Sequence, residues 1–341
     1  MAEQGVELLA GLDQLAVMGF AEVLPRLPFF RRLAAQVLRR MDEDRPALVV
    51  LVDYPGFNMR MARAAHERGI PVLYYIAPQV WAWKQGRART LARVADRVAV
   101  ILPFEAGFLA RCGVDARYVG HPLLDRADDV PQADAFRARW GLDPERPILA
   151  MLPGSRAQEL ARHLEPFREI AAAVVARRPD VQPVFSRSET LAVGLYRDLG
   201  YPVVTDTRAL QRHATAALVK SGTSTLETVL EGTPFAIGYR TSPVTFWLAK
   251  RLVKIGYVGL PNLVADAPVV PEFLQDELRA ETVAPVLLDL LDPRSTVRGE
   301  QVAALTRVRA LLGEPGAAGR VADLADELFG ADGSGLAEGA T

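Results

Sequence analysis

Short apolar runs rich in β-branched residues recur along this chain at 46–52, 71–76, 98–102, 147–152, 181–185, 216–219 and 234–238. Between many of them lie amphipathic stretches at helical spacing, at 59–68, 86–96, 104–112, 159–178 and 224–231. This alternation constrains the fold more than any other feature. Strand and helix in turn imply right-handed crossovers and mainly parallel sheets, whose strands read as continuous apolar runs because both faces are covered. The predicted class is α/β, in two Rossmann-like doubly wound domains, and 341 residues suit two domains. The polar, proline-containing stretch 125–147, with Asp128 and Asp129, is predicted to separate them, with a boundary near residue 142. On that division 1–142 and 143–300 are the two domains, 301–330 add closing helices, and the Gly-rich 331–341 form a frayed tail.

Charge and composition narrow the functional classes. A formal net charge of −1 gives no global attraction to nucleic acid, so anion recognition must come from local clusters. Cys112 stands alone, which fits a reducing compartment. His66, His121, His163 and His213 include no close pair, so no metal is expected. No apolar run reaches the roughly 18 residues that cross a bilayer, and the start lacks the regions of a secretion signal. A cytoplasmic protein is predicted.

Two loops are placed to hold a nucleotide, because ligands of open parallel sheets collect beyond the strands' carboxyl ends, where helix starts attract anions. In Leu152-Pro153-Gly154-Ser155-Arg156, Gly154 permits close backbone approach and Arg156 offers a planar fork to phosphate. The alternative is a tight turn with a solvated arginine. In Ser221-Gly222-Thr223-Ser224-Thr225-Leu226-Glu227, hydroxyls and amides gather at a helix start, and Glu227 can accept two ribose hydroxyls. The alternative is a capping box, Ser or Thr followed by Glu three residues later. Neither loop has Walker or Gly-x-Gly-x-x-Gly spacing, which disfavours a triphosphate hydrolase or a dehydrogenase.

The first half carries three further candidates. Asp53 ends a strand in Leu51-Val52-Asp53-Tyr54-Pro55-Gly56-Phe57-Asn58; partly desolvated and facing a bound hydroxyl, it would serve as a general base, the alternative being a cap on the next helix. Trp81 and Trp83 beside Lys84 and Arg87 could embrace a sugar phosphate, the alternative being that the tryptophans anchor the loop in the core. Segment 21–41 mixes Val23, Leu24, Leu27 and Phe30 with Arg26, Arg31, Arg32, Arg39 and Arg40, a basic amphipathic pattern suited to a membrane surface. The alternative is a helix packed on its own domain, with an irregular start at Pro25 and Pro28.

In this order the motifs resemble the lipid-A-disaccharide synthase family over nearly the whole chain. The likeness extends to Leu102-Pro103-Phe104-Glu105, Val119-Gly120-His121-Pro122, Gly238-Tyr239-Arg240, Thr245-Phe246-Trp247-Leu248-Ala249-Lys250 and Leu260-Pro261-Asn262-Leu263. The resemblance implies a glycosyltransferase B-type fold with UDP on the second domain, the acceptor on the first, and no metal. It implies inverting transfer from UDP-2,3-diacylglucosamine to 2,3-diacylglucosamine 1-phosphate at the cytoplasmic face of the inner membrane. Asp53 would take the acceptor's 6-hydroxyl proton, while Arg156 and the 221–225 loop neutralise the departing diphosphate. Glu227, Tyr239, Asn262, Glu272 and Gln275 would be donor or interdomain contacts. Such proteins begin with a strand and a Gly-Glu-x-Ser-Gly-Asp loop that this sequence lacks; a misassigned start is favoured over an inactive truncation, because the remaining motifs are intact. A transferase or epimerase of soluble UDP-sugars and a non-catalytic UDP-binding relative are the competing classes, and domain exchange of the last helix leaves a homodimer open.

Overall fold

The computed structural model describes residues 5–11, 20–81, 86–242, 246 and 256–333. Two parallel sheets carry the fold. In the first, β1 (Val49–Val52), β2 (Val72–Tyr75), β3 (Arg97–Val100) and β4 (Ala116–Tyr118) lie side by side in chain order. The second holds β5 (Ile148–Leu152), β6 (Gln182–Ser186), β7 (Val203–Val204), β8 (Ala216–Lys220), β9 (Phe235–Tyr239) and β10 (Glu272–Leu274), in the order β10-β9-β8-β5-β6-β7. The chain enters this sheet at β5, winds outward to β7, then returns to β8 on β5's other side. That reversal makes a topological switch point between β5 and β8, where open α/β sheets bind ligands. Strands β4, β7 and β10, of two or three residues, are too short to leave a periodic signal in the sequence.

Helices follow the strands: α1 (Phe20–Asp44), α2 (Pro55–His66), α3 (Gly86–Val94), α4 (Pro103–Ala110), α5 (Ala133–Trp140) and α6 (Ala157–Arg177). After them come α7 (Thr207–His213), α8 (Thr223–Glu231), α9 (Leu260–Ala265), α10 (Ala280–Leu291), α11 (Thr296–Leu311) and α12 (Ala317–Gly333). Side chains of β5 alternate between two cores, as strand geometry requires. Ile148, Ala150 and Leu152 pack with residues of α8, α9 and α11, while Leu149 and Met151 meet α6 and α10. Helix α6 buries Leu160, His163, Phe167, Ile170 and Val174, the stripe expected of one helical face. Helix α5 buries Phe136 in the second sheet's core, so the chain passes from one core to the other upstream of it.

The first sheet is covered on one side by α1 to α4, with Met41, Met61, Leu91 and Leu109 against Leu51, Val72, Tyr74 and Val98. Its other side meets the end of the chain. Leu324 of α12, with Val321, Ala325 and Leu328, packs on Leu73 and Ala99. The two sheets are therefore joined by two crossings, 119–131 and 312–317, and side chains pin one to the other. Arg320 Nε donates to the Val119 carbonyl at 2.8 Å, and Tyr118 Oη donates to that of Leu311 at 3.2 Å. Desolvation pushes the Asp125 carboxyl up, but the amides of Gly316, Ala318 and Ala317 at the start of α12 outweigh it and hold it below the usual range. Among the described residues no helix is long and apolar enough to cross a membrane.

Candidate active site

The loops at residues 153–156 and 221–225 follow the carboxyl ends of β5 and β8, which are neighbours in the sheet. Neither helix start is closed by a side chain of its cap residue: Arg156 caps α6 and Gly222 caps α8 without a side-chain hydrogen bond. Ser221 Oγ donates to the Val258 carbonyl at 3.3 Å, Thr225 Oγ1 to Gly222 at 2.7 Å, and Thr223 is exposed. The capping box open to Ser224 and Glu227 is not formed, since the Glu227 carboxylate turns to Arg126 instead, at 2.8 Å.

Between the loops lies a cluster that motif reading missed. Glu159, one turn into α6, receives Lys220 Nζ at 2.9 Å, Arg156 Nη1 at 2.9 Å and the Ser155 amide at 3.1 Å. Desolvation opposes its ionisation, but these partners, Lys220 foremost, hold its carboxyl below the usual range. Gly154, at φ 127°, is required: a Cβ there would lie 2.8 Å from both Cβ and Oε2 of Glu159. Beneath, Lys220 Nζ lies 5.7 Å from the centre of the Tyr239 ring, which stacks on His163 at 6.0 Å. His163 accepts the Arg240 amide on Nε2 at 2.8 Å and therefore carries its proton on Nδ1, donated to the Glu159 carbonyl at 2.7 Å. Desolvation, aided by Lys220, lowers its pKa to about 4. The only signals for this cluster in the sequence are a lysine ending an apolar run and a glutamate one turn past Gly-Ser-Arg.

Three expected donor contacts are engaged within the protein. Asn262 is buried and saturated: Nδ2 donates to Val270 O and Glu272 Oε1, both at 2.7 Å, and Oδ1 accepts the Val270 amide at 2.8 Å. Glu272 also accepts the amides of Val258 and Gly259, each at 2.9 Å, so this pair fastens the 258–259 loop against Ser221. Gln275, at φ 53°, clamps Thr241 through both ends of its amide, at 2.7 and 3.1 Å. These residues shape the second loop's surroundings. Glu227 and its Arg126 line a cavity of about 160 Å³ with Arg208, Arg212, Glu231 and Arg309.

On the first sheet, Asp53 and Tyr54 turn the chain out of β1 through two consecutive left-handed residues, at φ 47° and 44°. Asn58 Nδ2 donates to Val52 O at 2.9 Å and Asp53 O at 2.8 Å, and Tyr74 Oη donates to Asp53 O at 2.9 Å, fixing the turn. Asp53 does not cap α2, whose cap is Tyr54 without a side-chain bond. Asp53 is exposed. Trp81 is buried and donates Nε1–H to Glu105 at 2.8 Å, with its ring edge-on to Phe104. It thus anchors its loop and offers no open face to a sugar. Arg87 is exposed in the first turn of α3, while Trp83 and Lys84 lie outside the described residues. Helix α1 buries Ala34 and Met41 and leaves Leu27 exposed; the side chains of Val23 and Leu24 lie outside the described residues. Phe30 stacks on Tyr54 at 6.1 Å, so it braces the Asp53 turn.

Comparison with known proteins agrees with this architecture. The family model described as lipid-A-disaccharide synthetase matches residues 1–315. Lipid-A-disaccharide synthase of Anaeromyxobacter sp. (strain K) is 43% identical over 331 residues, 95% of this chain and 86% of that protein. The synthase of Myxococcus xanthus (strain DK1622) is 39% identical over 336 residues, 96% and 88% of the two chains. Among solved structures, UDP-GlcNAc 2-epimerase from Neisseria meningitidis superposes with a TM-score of 0.60 at 10% identity, covering 87% of this chain and 82% of that one. MurG of Acinetobacter baumannii gives 0.51 at 15% identity, covering 88% and 80%, a likeness of fold. The chain thus belongs to the lipid-A-disaccharide synthase family, hexosyltransferases of lipid A biosynthesis, with two Rossmann-like domains and a fold like that of glycosyltransferase B enzymes.

Proposed function

We propose that this chain joins UDP-2,3-diacylglucosamine to 2,3-diacylglucosamine 1-phosphate, releasing UDP and leaving a β-1,6-linked disaccharide 1-phosphate. Asp53, on the first domain, takes the proton from the acceptor's 6-hydroxyl as that oxygen attacks the anomeric carbon. The bond to the diphosphate oxygen breaks on the opposite face, so the centre inverts, and its electrons leave with UDP. Arg156 and the amides of the 221–225 loop receive that growing charge, work that a metal ion does in other transferases. Glu227 accepts the ribose hydroxyls once Arg126 releases its carboxylate. Arg87, Lys84 and Trp83 meet the acceptor.

One observation carries this reading: two helix starts that their cap side chains leave without a hydrogen bond stand at adjoining strand ends on the switch point, one of them capped by Arg156. The sharply turned Asp53 follows the carboxyl end of β1, the edge strand of the first sheet. Helix α1 reaches the Asp53 turn through Phe30 and leaves Leu27, Arg31 and Arg32 exposed. That supports docking on the anionic cytoplasmic face of the inner membrane, which would bring acylated substrates to Asp53. The test is turnover with both lipid substrates. Asp53→Asn is expected to lower kcat by about 10²–10⁴ with donor affinity retained; equal loss of both would remove Asp53 as the base.

A further inference from the structure

We propose that Lys220 is a donor-phosphate ligand, and that the Glu159 carboxylate holds the phosphate's place until the nucleotide displaces it. The inference rests on the donor site lying between the 153–156 and 221–225 loops, and adds to it a cation and a gatekeeping anion.

Three observations carry it. The first is convergence: the Ser155 amide, the Arg156 guanidinium and the Lys220 ammonium all reach one carboxylate, within 2.9 to 3.1 Å. Those donors come from a Gly-containing loop, a helix start and a neighbouring strand end, the arrangement that receives a phosphate's oxygens. The second is space. Residue 154 has no side chain, and the volume a Cβ would take is filled by Glu159. The third is charge: with two cations and one anion the cluster carries a surplus of one positive charge, so a diphosphate balances it better than a single carboxylate. Lys220 also lies against the other loop, its Nζ 3.5 Å from where a Cβ on Gly222 would stand. A ligand spanning both loops meets it directly.

A purely structural Glu159 would need only the Ser155 amide, as acidic residues in a first helical turn often do. It would not need a lysine from β8 whose side chain keeps only 15% exposure, since lysine is seldom so buried without a partner of opposite charge. When phosphate arrives, the Glu159 side chain rotates out and Lys220 changes partners.

Calorimetric binding of UDP and of uridine to the wild type, K220Q, K220R and E159Q tests this. K220Q is expected to weaken UDP about tenfold and leave uridine unchanged, and K220R to restore most of the loss, because charge-assisted bonds to phosphate account for it. E159Q is expected to tighten UDP several-fold by removing the competing anion. A K220Q affinity for UDP equal to that of the wild type, or a weaker UDP complex in E159Q, overturns the proposal. Should K220Q fail to fold, the sign of the E159Q change decides alone. A wild type that binds no UDP would instead overturn the donor-site reading beneath it.

Discussion

Asp53 and Tyr54 occupy a region of backbone space that costs side-chain-bearing residues of order 1–2 kcal/mol each, and Asn58 and Tyr74 hold them there. Asn58→Ala, which removes two carbonyl partners, is therefore expected to cost about 1–2 kcal/mol of stability and to lower kcat more than it raises the donor KM. Denaturant midpoints and steady-state kinetics check both halves; unchanged kcat would show that the turn does not aim Asp53. His163 sets a pH dependence. Its folded pKa of about 4 lies below the ordinary 6.5, so between those values the unfolded chain binds the proton and the folded one does not. Stability is thus full above pH 6.5 and falls as the pH drops toward 4, by about 3 kcal/mol from this residue at 1.36 kcal/mol per pH unit. His121, also lowered to about 4 by desolvation, adds to the same slope. Melting temperature against pH for His163→Asn should show a shallower acid limb than the wild type. At this scale the sequence was partly readable. Gly154, Arg156 and the 221–225 loop announce themselves by local chemistry, whereas Glu159 and Lys220 meet across 61 positions, a pairing that no local pattern records.

Helix α1 divides its work along its length. Ala34 and Met41 dock on the first sheet, as the packed-helix reading expects, while Leu27 stays exposed. Replacing Leu24 and Leu27 with serine should release the protein from anionic vesicles with an unchanged melting temperature, a result read by sedimentation. Phe30→Ser should instead lower stability by about 1–3 kcal/mol, because its ring packs on Tyr54 and Phe57. Helix α12 is the element whose place the sequence hides most completely. Its apolar stripe is plain, yet nothing local tells that Leu324 packs on Leu73, some 250 positions earlier. Leu324→Ala should cost about 2 kcal/mol, measured as a shifted denaturant midpoint; no shift would mean that α12 adds little to the first sheet.

The whole molecule is two parallel sheets tied by a double crossing, and both the Asp125 cap and the Arg126–Glu227 pair sit on its outgoing segment, 119–131. Alternating strands and helices made the two-domain class legible, because parallel sheets demand crossovers and covered faces. The proposed chemistry divides the same way: leaving-group contacts on one sheet, the proton acceptor on the other. The most direct test of that division is UDP release from purified protein supplied with both acylated glucosamine substrates in anionic vesicles, for the wild type and Asp53→Asn. The account predicts steady UDP release that the substitution reduces at least a hundredfold, as loss of a general base does, while UDP still binds. Turnover unaffected by Asp53→Asn, or none from the wild type with both substrates present, would contradict it.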